Sequence, residues 1–412
     1  MNTDIFVIGG GASGLVAALS AKKTAPGARV TLAEKLPRVG KKLLATGNGR
    51  CNIMNALAEE TVYAGDPAFI SPALELYKKE YAAFWDGIGL ALMREDEGRM
   101  YPACNQASAV LDVLRLALTD RGIEEKTDCA VTAVKKTDGG FTAETSAGPI
   151  RAKKVILCTG GRAGKGLGEN DSYTTLLTPF GHKTVKSFPA LTYLKVPAPC
   201  VQGLKGVRLK GSIRLTDGRE TLARETGEVL FQENAVSGIA AMQLSLVCAD
   251  IYAKNPAAKL SVILSPLPMT EAEAKAELTR RAGRFGNRSA DTLLTGAVNR
   301  LISLLALKRS GIAPNKPVNT ITDKELTALA KELTAWTIPV TGTGNFTSAQ
   351  VMYGGADTDG FDARTLESKL VSGLYACGEL LNVTGPCGGY NLEWAWACGM
   401  LAGTSAGKSL SC

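Results

Sequence analysis

The chain is 412 residues long, 45% hydrophobic and 21% charged, with a formal charge of +8. That composition suits a globular protein of two or three domains and excludes an intrinsically disordered chain, while the modest positive charge permits an anionic ligand without demanding one. A single histidine, His182, argues against a histidine-based zinc centre or a Ser-His-Asp triad, and the ten cysteines contain no C-x-x-C pair, so no metal site is expected and a reduced, cytoplasmic setting fits best.

The N-terminal stretch "DIFVIGGGASGLVAALSAKK" reads as a buried strand (Ile5 to Ile8), a glycine turn and a helix from about Ala12 to Lys22. It is not a signal peptide, because an acid stands where a basic region belongs and glycines interrupt the apolar run. No apolar segment approaches the roughly 20 residues of a spanning helix, so no membrane association is expected. Gly9, Gly11 and Gly14 occupy the G-x-G-x-x-G positions. The first permits a sharp turn, the second lets a pyrophosphate approach the backbone, and the third lets helix and strand pack closely. The helix N-terminus adds free N–H groups and the positive end of its dipole. "RVTLAEK" supplies a second strand ending in Glu34, about twenty residues after the last glycine, where a carboxylate can bond the adenosine ribose hydroxyls. This unit alone leaves FAD and NAD(P) both open.

The stretches that follow favour a flavin. "GKKLLATGNGRCN", Gly40 to Asn52, is a long basic glycine-rich loop where a simple NAD dehydrogenase would place another helix. Residues 71–88 read as an amphipathic helix with Leu74, Tyr77, Tyr81, Phe84 and Trp85 toward the core, and Asn105–Gly122 as a second helix capped by Asn or Ser. Alternating β segments lead to "KKVILCTGG", a strand running into Thr159-Gly160-Gly161. The next stretch, "RAGKGLG", lacks the spacing of a phosphate loop.

From about Ala190 short strand-like runs alternate with Gly, Pro and Asp-Gly turns, which argues a small antiparallel sheet or barrel. Three helical stretches follow. The segment is basic, with Lys205, Arg208, Lys210, Arg214, Arg280, Arg281, Arg284, Arg288, Arg300, Lys308 and Arg309, and this is either a solvated surface or a polyanion-binding one. Near the C-terminus "SGLYACGELLNVTGPCGGYNLEWAWACGMLAG" gives a strand (Leu374 to Cys377) ending in Gly378-Glu379, a glycine turn, and a helix from about Asn391. A helix N-terminus there suits a flavin's N1–C2=O edge, where negative charge develops on reduction. Ala395, Gly399 and Gly403 give the helix a flat side, and its tryptophans read as core.

"GGGASGL", "GKKLLATGNGRCN", "VILCTGG", "FPALTYL", "GEVLF…SG" and "GLYACGELLNVTGPCGGYNLEWAWACG" together resemble the BaiN-type flavoproteins, often labelled aminoacetone oxidase family FAD-binding enzymes, over nearly the whole chain. The resemblance implies an α/β fold: a Rossmann-like FAD-binding domain from residues 1–190 and 343–412, with an inserted β-barrel part at 191–265 and a helical part at 266–342. It places FAD contacts on Gly9, Gly11, Ala12, Ser13, Gly14, Glu34, Lys35, Lys42, Gly49, Arg50, Cys51, Asn52, Val131, Thr159, Gly160, Gly378, Glu379, Gly389, Tyr390 and Asn391, with Val131 meeting the adenine through its backbone. Two departures stand out. The family's triple glycine before Arg-Cys-Asn is Gly47-Asn48-Gly49 here, tolerable because Asn accepts positive φ better than most residues. Gln232, Glu233 and Asn234 replace residues that in the family touch substrate.

No second G-x-G-x-x-G unit occurs in the insertion, so NAD(P)H is expected as a transient electron donor. Hydride would pass to an activated C=C or C=N, with a side-chain acid protonating the neighbouring atom. Cys387 and Tyr390 are the catalytic candidates, with Cys51 behind them. The reading favoured by the resemblance and the basic insertion is an FAD-dependent reductase converting uracil to dihydrouridine in ribosomal RNA or its precursor. Alternatives are a reductase of a small conjugated, steroid-like enone, an amine or aminoketone oxidase, and a flavin-bound redox sensor with little turnover.

Overall fold

The strand Asn2–Ile8 is buried without a break from Ile5 onward, because parallel neighbours flank it on both sides and helices cover it. The computed structural model describes residues 1–169 and 171–410. Within them Asn2–Ile8 pairs in parallel with Val30–Ala33 on one side and Ile150–Leu157 on the other, and Val30–Ala33 pairs in turn with Glu124–Lys126. The outer edge of Ile150–Leu157 is shared. Its first half takes Gly140–Thr145 antiparallel, which leads out to Val131–Thr137. Its second half takes the distant strand Leu374–Ala376 in parallel. Both ends of the chain therefore contribute to one sheet of a Rossmann-like α/β domain.

Two helices seal one face. Ala12–Thr24 and Tyr390–Lys408 approach until backbone touches backbone. A Cβ on Gly399 would lie 2.4 Å from the Ser13 carbonyl oxygen, and one on Gly403 2.2 Å from that of Ala17. The flat side runs Gly399, Gly403 and Gly407, one turn beyond the expected Ala395 start. The helix Pro67–Asp86 begins four residues earlier than the hydrophobic period suggested, because Asp66 accepts from the Ala68 N–H and Pro67 fits the first turn. Trp85 and Trp396 pack edge to face at 5.2 Å, and both are fully buried. The helix Ala107–Asp120 carries no side-chain cap: Gln106 holds the cap position and Asn105, in the left-handed region at φ 56°, turns its side chain to Arg50.

The chain divides into Met1–Pro189 with Phe346–Cys412, and Ala190–Asn345. In the second unit antiparallel strands run in the spatial order Trp336–Val340, Leu260–Leu264, Arg208–Thr216, Thr221–Phe231, Ala235–Ser237, Leu194–Lys195 and Gly342–Thr343. The first and last of these are separated in sequence by Thr341 alone, so the sheet closes on itself as a barrel filled by Ile213, Leu215, Val229, Phe231, Val262, Leu264 and Ile338. The expected split at 265/266 is therefore crossed. Trp336–Val340, inside the stretch read as helical, is the strand that closes the barrel, since Leu260–Leu264 needs a partner on its second edge. Between these strands the helices Glu271–Arg284, Arg300–Arg309 and Asp323–Thr334 build a separate small core, two of them opened by Thr–Glu capping boxes at Thr270 and Thr322.

The backbone contact at Gly403 yields a direct expectation. Gly403→Ala has no flexible side chain to displace, so it should destabilise the protein by about 1–3 kcal/mol. Gly27→Ala, whose Cβ meets nothing within 4 Å, should be close to neutral in the same thermal melts. Equal melting temperatures for the two variants would contradict the packing described.

Candidate active site

The glycine turn after the first strand divides its three positions by function. Gly9, at φ 110°, would drive a Cβ to 2.4 Å from the Cys158 carbonyl oxygen, and Gly14 one to 1.9 Å from the Gly9 carbonyl oxygen. Both are locked by protein. A Cβ on Gly11 would meet nothing within 4 Å, so the open side of the turn lies there, at the start of a 13-residue helix. This is the geometry that lets an anionic diphosphate reach backbone N–H groups. Ser13 is buried and its hydroxyl lies against the Gly378 α-carbon, where a Cβ would come within 2.5 Å of Oγ, so only its backbone faces the helix start.

Glu34, one residue past its strand, accepts from the Gly10 N–H at 2.8 Å and the Leu36 N–H at 2.9 Å, which sets the carboxylate beside the turn. The segment carrying Val131 is tied to it: Cys129 donates to the Glu34 carbonyl and Asp128 to that of Leu36. Lys35 reaches the Glu169 carbonyl. Lys42 and Glu379, 337 residues apart, form an ion pair at 2.6 Å, and the other Glu379 oxygen accepts from the Met352 N–H at 2.8 Å.

In the loop before Asn52, Asn48 adopts the left-handed conformation (φ 55°) between Gly47 and Gly49, as its chemistry allows. Cys51 is also left-handed, at φ 60°, and has no exposure. Burial pushes its thiol up to about 12, although Thr46 bonds to it. With no exposure the thiol cannot meet a substrate, which removes Cys51 from the proton-donor candidates. The Arg50 guanidinium points to a separate cluster: two hydrogen bonds to Asn105 Oδ1 at 3.0 and 2.7 Å, an ion pair with Glu95, and the Tyr101 ring centroid 4.0 Å away. It braces the loop, and this network was not visible in the sequence because Glu95, Tyr101 and Asn105 lie in an ordinary polar stretch.

The C-terminal glycine turn closes the region. Gly389 (φ 103°) presses on the Met54 carbonyl and Asn52 Oδ1, at 2.7 and 2.8 Å from a built Cβ. The helix starts at Tyr390 with no side-chain cap. Asn391 does not cap it. Its amide instead clamps the preceding loop, accepting from the Gly385 N–H at 2.9 Å and donating to the Gly385 and Pro386 carbonyls. Trp394 and Trp396 are core, and each donates its indole N–H to a backbone carbonyl of the site loops, Gly378 and Ile53 respectively. Tyr390 is half-buried, its phenol pushed up by burial and then by Glu393 and Glu97, and Tyr63 OH donates to its carbonyl at 3.1 Å. Cys387, three residues earlier in the chain, is half-buried as well. Besides Glu393 Oε1, described below, two buried polar atoms in this region have no protein partner, Thr159 Oγ1 and Asn52 Oδ1. Orphans of this kind mark positions at which a ligand completes the hydrogen bonding.

Glu393, in the first turn of the last helix, was missed. The signal was present: a carboxylate inside "NLEWAWAC". It is fully buried, one oxygen accepting from the Asn55 N–H at 3.0 Å and the other without a partner. Burial raises it from the ordinary 4.5 to about 7, against lesser opposing effects from the Asn55 N–H and Lys78.

The family model for the HI0933-like protein Rossmann domain matches residues 3–405. The chain belongs to this family. Membership makes it an FAD-dependent oxidoreductase. It is 34% identical over 406 residues, 98% of this chain and 99% of the relative, to a 3-dehydro-bile acid delta(4,6)-reductase of Clostridium scindens. It is 28% identical over 405 residues, 96% of this chain and 95% of the relative, to the ribosomal RNA dihydrouridine synthase of Escherichia coli. In fold it is similar to 3-ketosteroid delta1-dehydrogenase from Sterolibacterium denitrificans, with a TM-score of 0.54 at 12% identity, covering 99% of this chain and 100% of that one. No helix among the described residues is long and apolar enough to cross a membrane.

Two measurements check this geometry. Brief alkylation near pH 8 should modify the exposed Cys104 and leave Cys51 untouched until denaturant is added; labelling of Cys51 in the native state would show that the loop is open. The second concerns Glu393. Its folded-state value lies above its unfolded one, so its stabilising contribution is complete below about pH 4.5 and is lost as pH rises to about 7. Glu393→Gln should abolish that decline, on the order of 3 kcal/mol, and unfolding curves of both proteins with the same pH slope would contradict the burial of an ionisable group there.

Proposed function

We propose that the region around Gly11, Asn52, Thr159 and Gly389 holds FAD, and that the protein reduces a C=C bond conjugated to a carbonyl. The observation that carries the reading is the pairing of an open helix start at Gly11 with buried orphans at Thr159 Oγ1 and Asn52 Oδ1. Gly9, Gly11, Ala12, Ser13 and Gly14 would take the diphosphate through backbone N–H groups, Glu34 and Lys35 the adenosine ribose, and Val131 the adenine. Lys42, Gly49–Asn52, Thr159, Gly160, Gly378, Glu379 and Gly389–Asn391 would take the remainder. FAD, when bound, supplies the hydride transfer.

The chain's own residues supply binding, orientation and the proton. Tyr390 keeps its phenol proton through the neutral range, which suits it to donate to a carbonyl oxygen or a neighbouring carbon as charge develops. Cys387, three residues before it, is the second donor candidate. NAD(P)H is proposed as the transient electron donor.

For the substrate, a small conjugated enone is the first reading. It is supported by the 34% relative named as a bile acid reductase. It is also supported by charge: of the eleven basic residues noted in the insertion, Lys205, Arg208, Arg280, Arg281 and Arg309 are held by neighbouring carboxylates, which weakens a polyanion surface. The second reading is uracil in ribosomal RNA, for which the 28% relative speaks.

The test is anaerobic. NADH or NADPH should bleach the bound flavin, and a 3-keto-4-ene or 4,6-diene steroid should restore its colour with saturation of the double bond. Recolouring only by ribosomal RNA from a strain lacking the gene, with dihydrouridine appearing in it, would replace the first reading with the second. No bleaching by either nucleotide would overturn both. Tyr390→Phe is expected to lower kcat by about 100-fold with flavin binding intact; an unchanged kcat would move the donor role to Cys387.

A further inference from the structure

We infer that Glu393 is a positioning residue that holds the Gly388–Gly389 turn through Asn55 and leaves the positive end of the C-terminal helix uncompensated. The inference rests on the proposed FAD site.

The linkage is continuous. Glu393 Oε2 accepts from the Asn55 N–H at 3.0 Å. The Asn55 amide donates to the Gly388 carbonyl at 3.1 Å and the Glu97 carbonyl at 3.1 Å, and its Oδ1 accepts from the Leu57 N–H at 2.9 Å. Glu393 itself donates its N–H to the Gly389 carbonyl at 3.0 Å. One buried carboxyl thus ties the strand Met54–Asn55, which underlies the turn, to the first turn of the helix. Both glycines have positive φ, 127° and 103°, and Gly389 has no room to shift because the Met54 carbonyl lies against it.

The charge argument is independent. A glutamate in the first turn of a helix ordinarily stays ionised and cancels part of the dipole's positive end. Here the side chain is wholly buried and Oε1 has no partner, so an ionised form would carry an unsatisfied buried charge, which is costly. The ionisable groups bearing on it are the phenols of Tyr63, Tyr77 and Tyr390, which are neutral, and the Lys78 ammonium. Below about pH 7 the neutral acid leaves the helix start free to face developing negative charge.

The experiment uses the FAD-loaded protein and three variants. Glu393→Gln keeps an acceptor for Asn55 and cannot ionise. Its midpoint potential should match wild type below about pH 6 and lie above it at about pH 8, where the wild-type carboxylate forms and disfavours added electrons. Glu393→Ala should bind FAD about tenfold more weakly, the cost of one buried hydrogen bond, and Asn55→Ala, which keeps the backbone N–H but loses the three side-chain bonds to Gly388, Glu97 and Leu57, at least as weakly, while Glu393→Gln stays within about twofold of wild type. Asn55→Ala leaves the helix intact and serves if Glu393→Ala does not fold. Potentials that run parallel from about pH 6 to 8, or FAD binding unchanged in Asn55→Ala, would overturn the inference and leave the flavin reading standing. Failure of the wild type to bind FAD would remove both.

Discussion

The contact between the first helix and the last is the constraint on which the domain depends. Ala12–Thr24 and Tyr390–Lys408 meet without side chains between them, Gly399 on Ser13 and Gly403 on Ala17. Such proximity fixes the C-terminal strand Leu374–Ala376 beside Ile150–Leu157, and with it the position of Gly378 and Glu379 relative to the glycine turn of the first strand. A side chain at either glycine would wedge the helices apart and separate the two halves of the site. Local sequence therefore serves a purpose far away in the chain. The glycines of the last helix are there for the first.

Around that contact, polar groups are distributed according to what surrounds them. The Lys42–Glu379 pair joins loops from opposite ends of the chain at 2.6 Å and is part-buried, where an ion pair acts more through geometry than through net stability. Arg50 is restrained by an amide, a carboxylate and a ring at once, so the strained Asn48–Cys51 loop has an anchor on its outer side. By contrast, Thr159 Oγ1 and Asn52 Oδ1 are buried and unpartnered. Glu393 Oε1 apart, these are the atoms of the region that a ligand is expected to satisfy.

The two substrate classes named among the relatives share one chemistry, a C=C bond polarised by a carbonyl. The basic residues of the insertion look like a polyanion surface when counted, yet Glu277 alone engages both Arg280 and Arg281, and Glu332 engages Arg309. Charge counting overstates the field wherever acids lie one helical turn away.

Much of the cofactor domain was legible in the residues themselves. Gly9, Gly11, Gly14 and Glu34 come together at one turn through short-range backbone geometry, so their spacing suffices to place them, and Asn48 follows from its tolerance of positive φ. The barrel boundary was not legible, because Trp336–Val340 becomes a strand only through pairing with Leu260–Leu264. Asn391 stood at the expected helix start, but tertiary structure gave its amide the Gly385–Pro386 loop. Cys51 resembled a reactive thiol until complete burial was seen. Glu393 shows the division most clearly. Sequence alone determined that a carboxyl sits one turn into the last helix. Only the fold decided that it is buried beneath a glycine turn with one oxygen unpartnered, because desolvation and hydrogen bonding depend on neighbours that are hundreds of residues away.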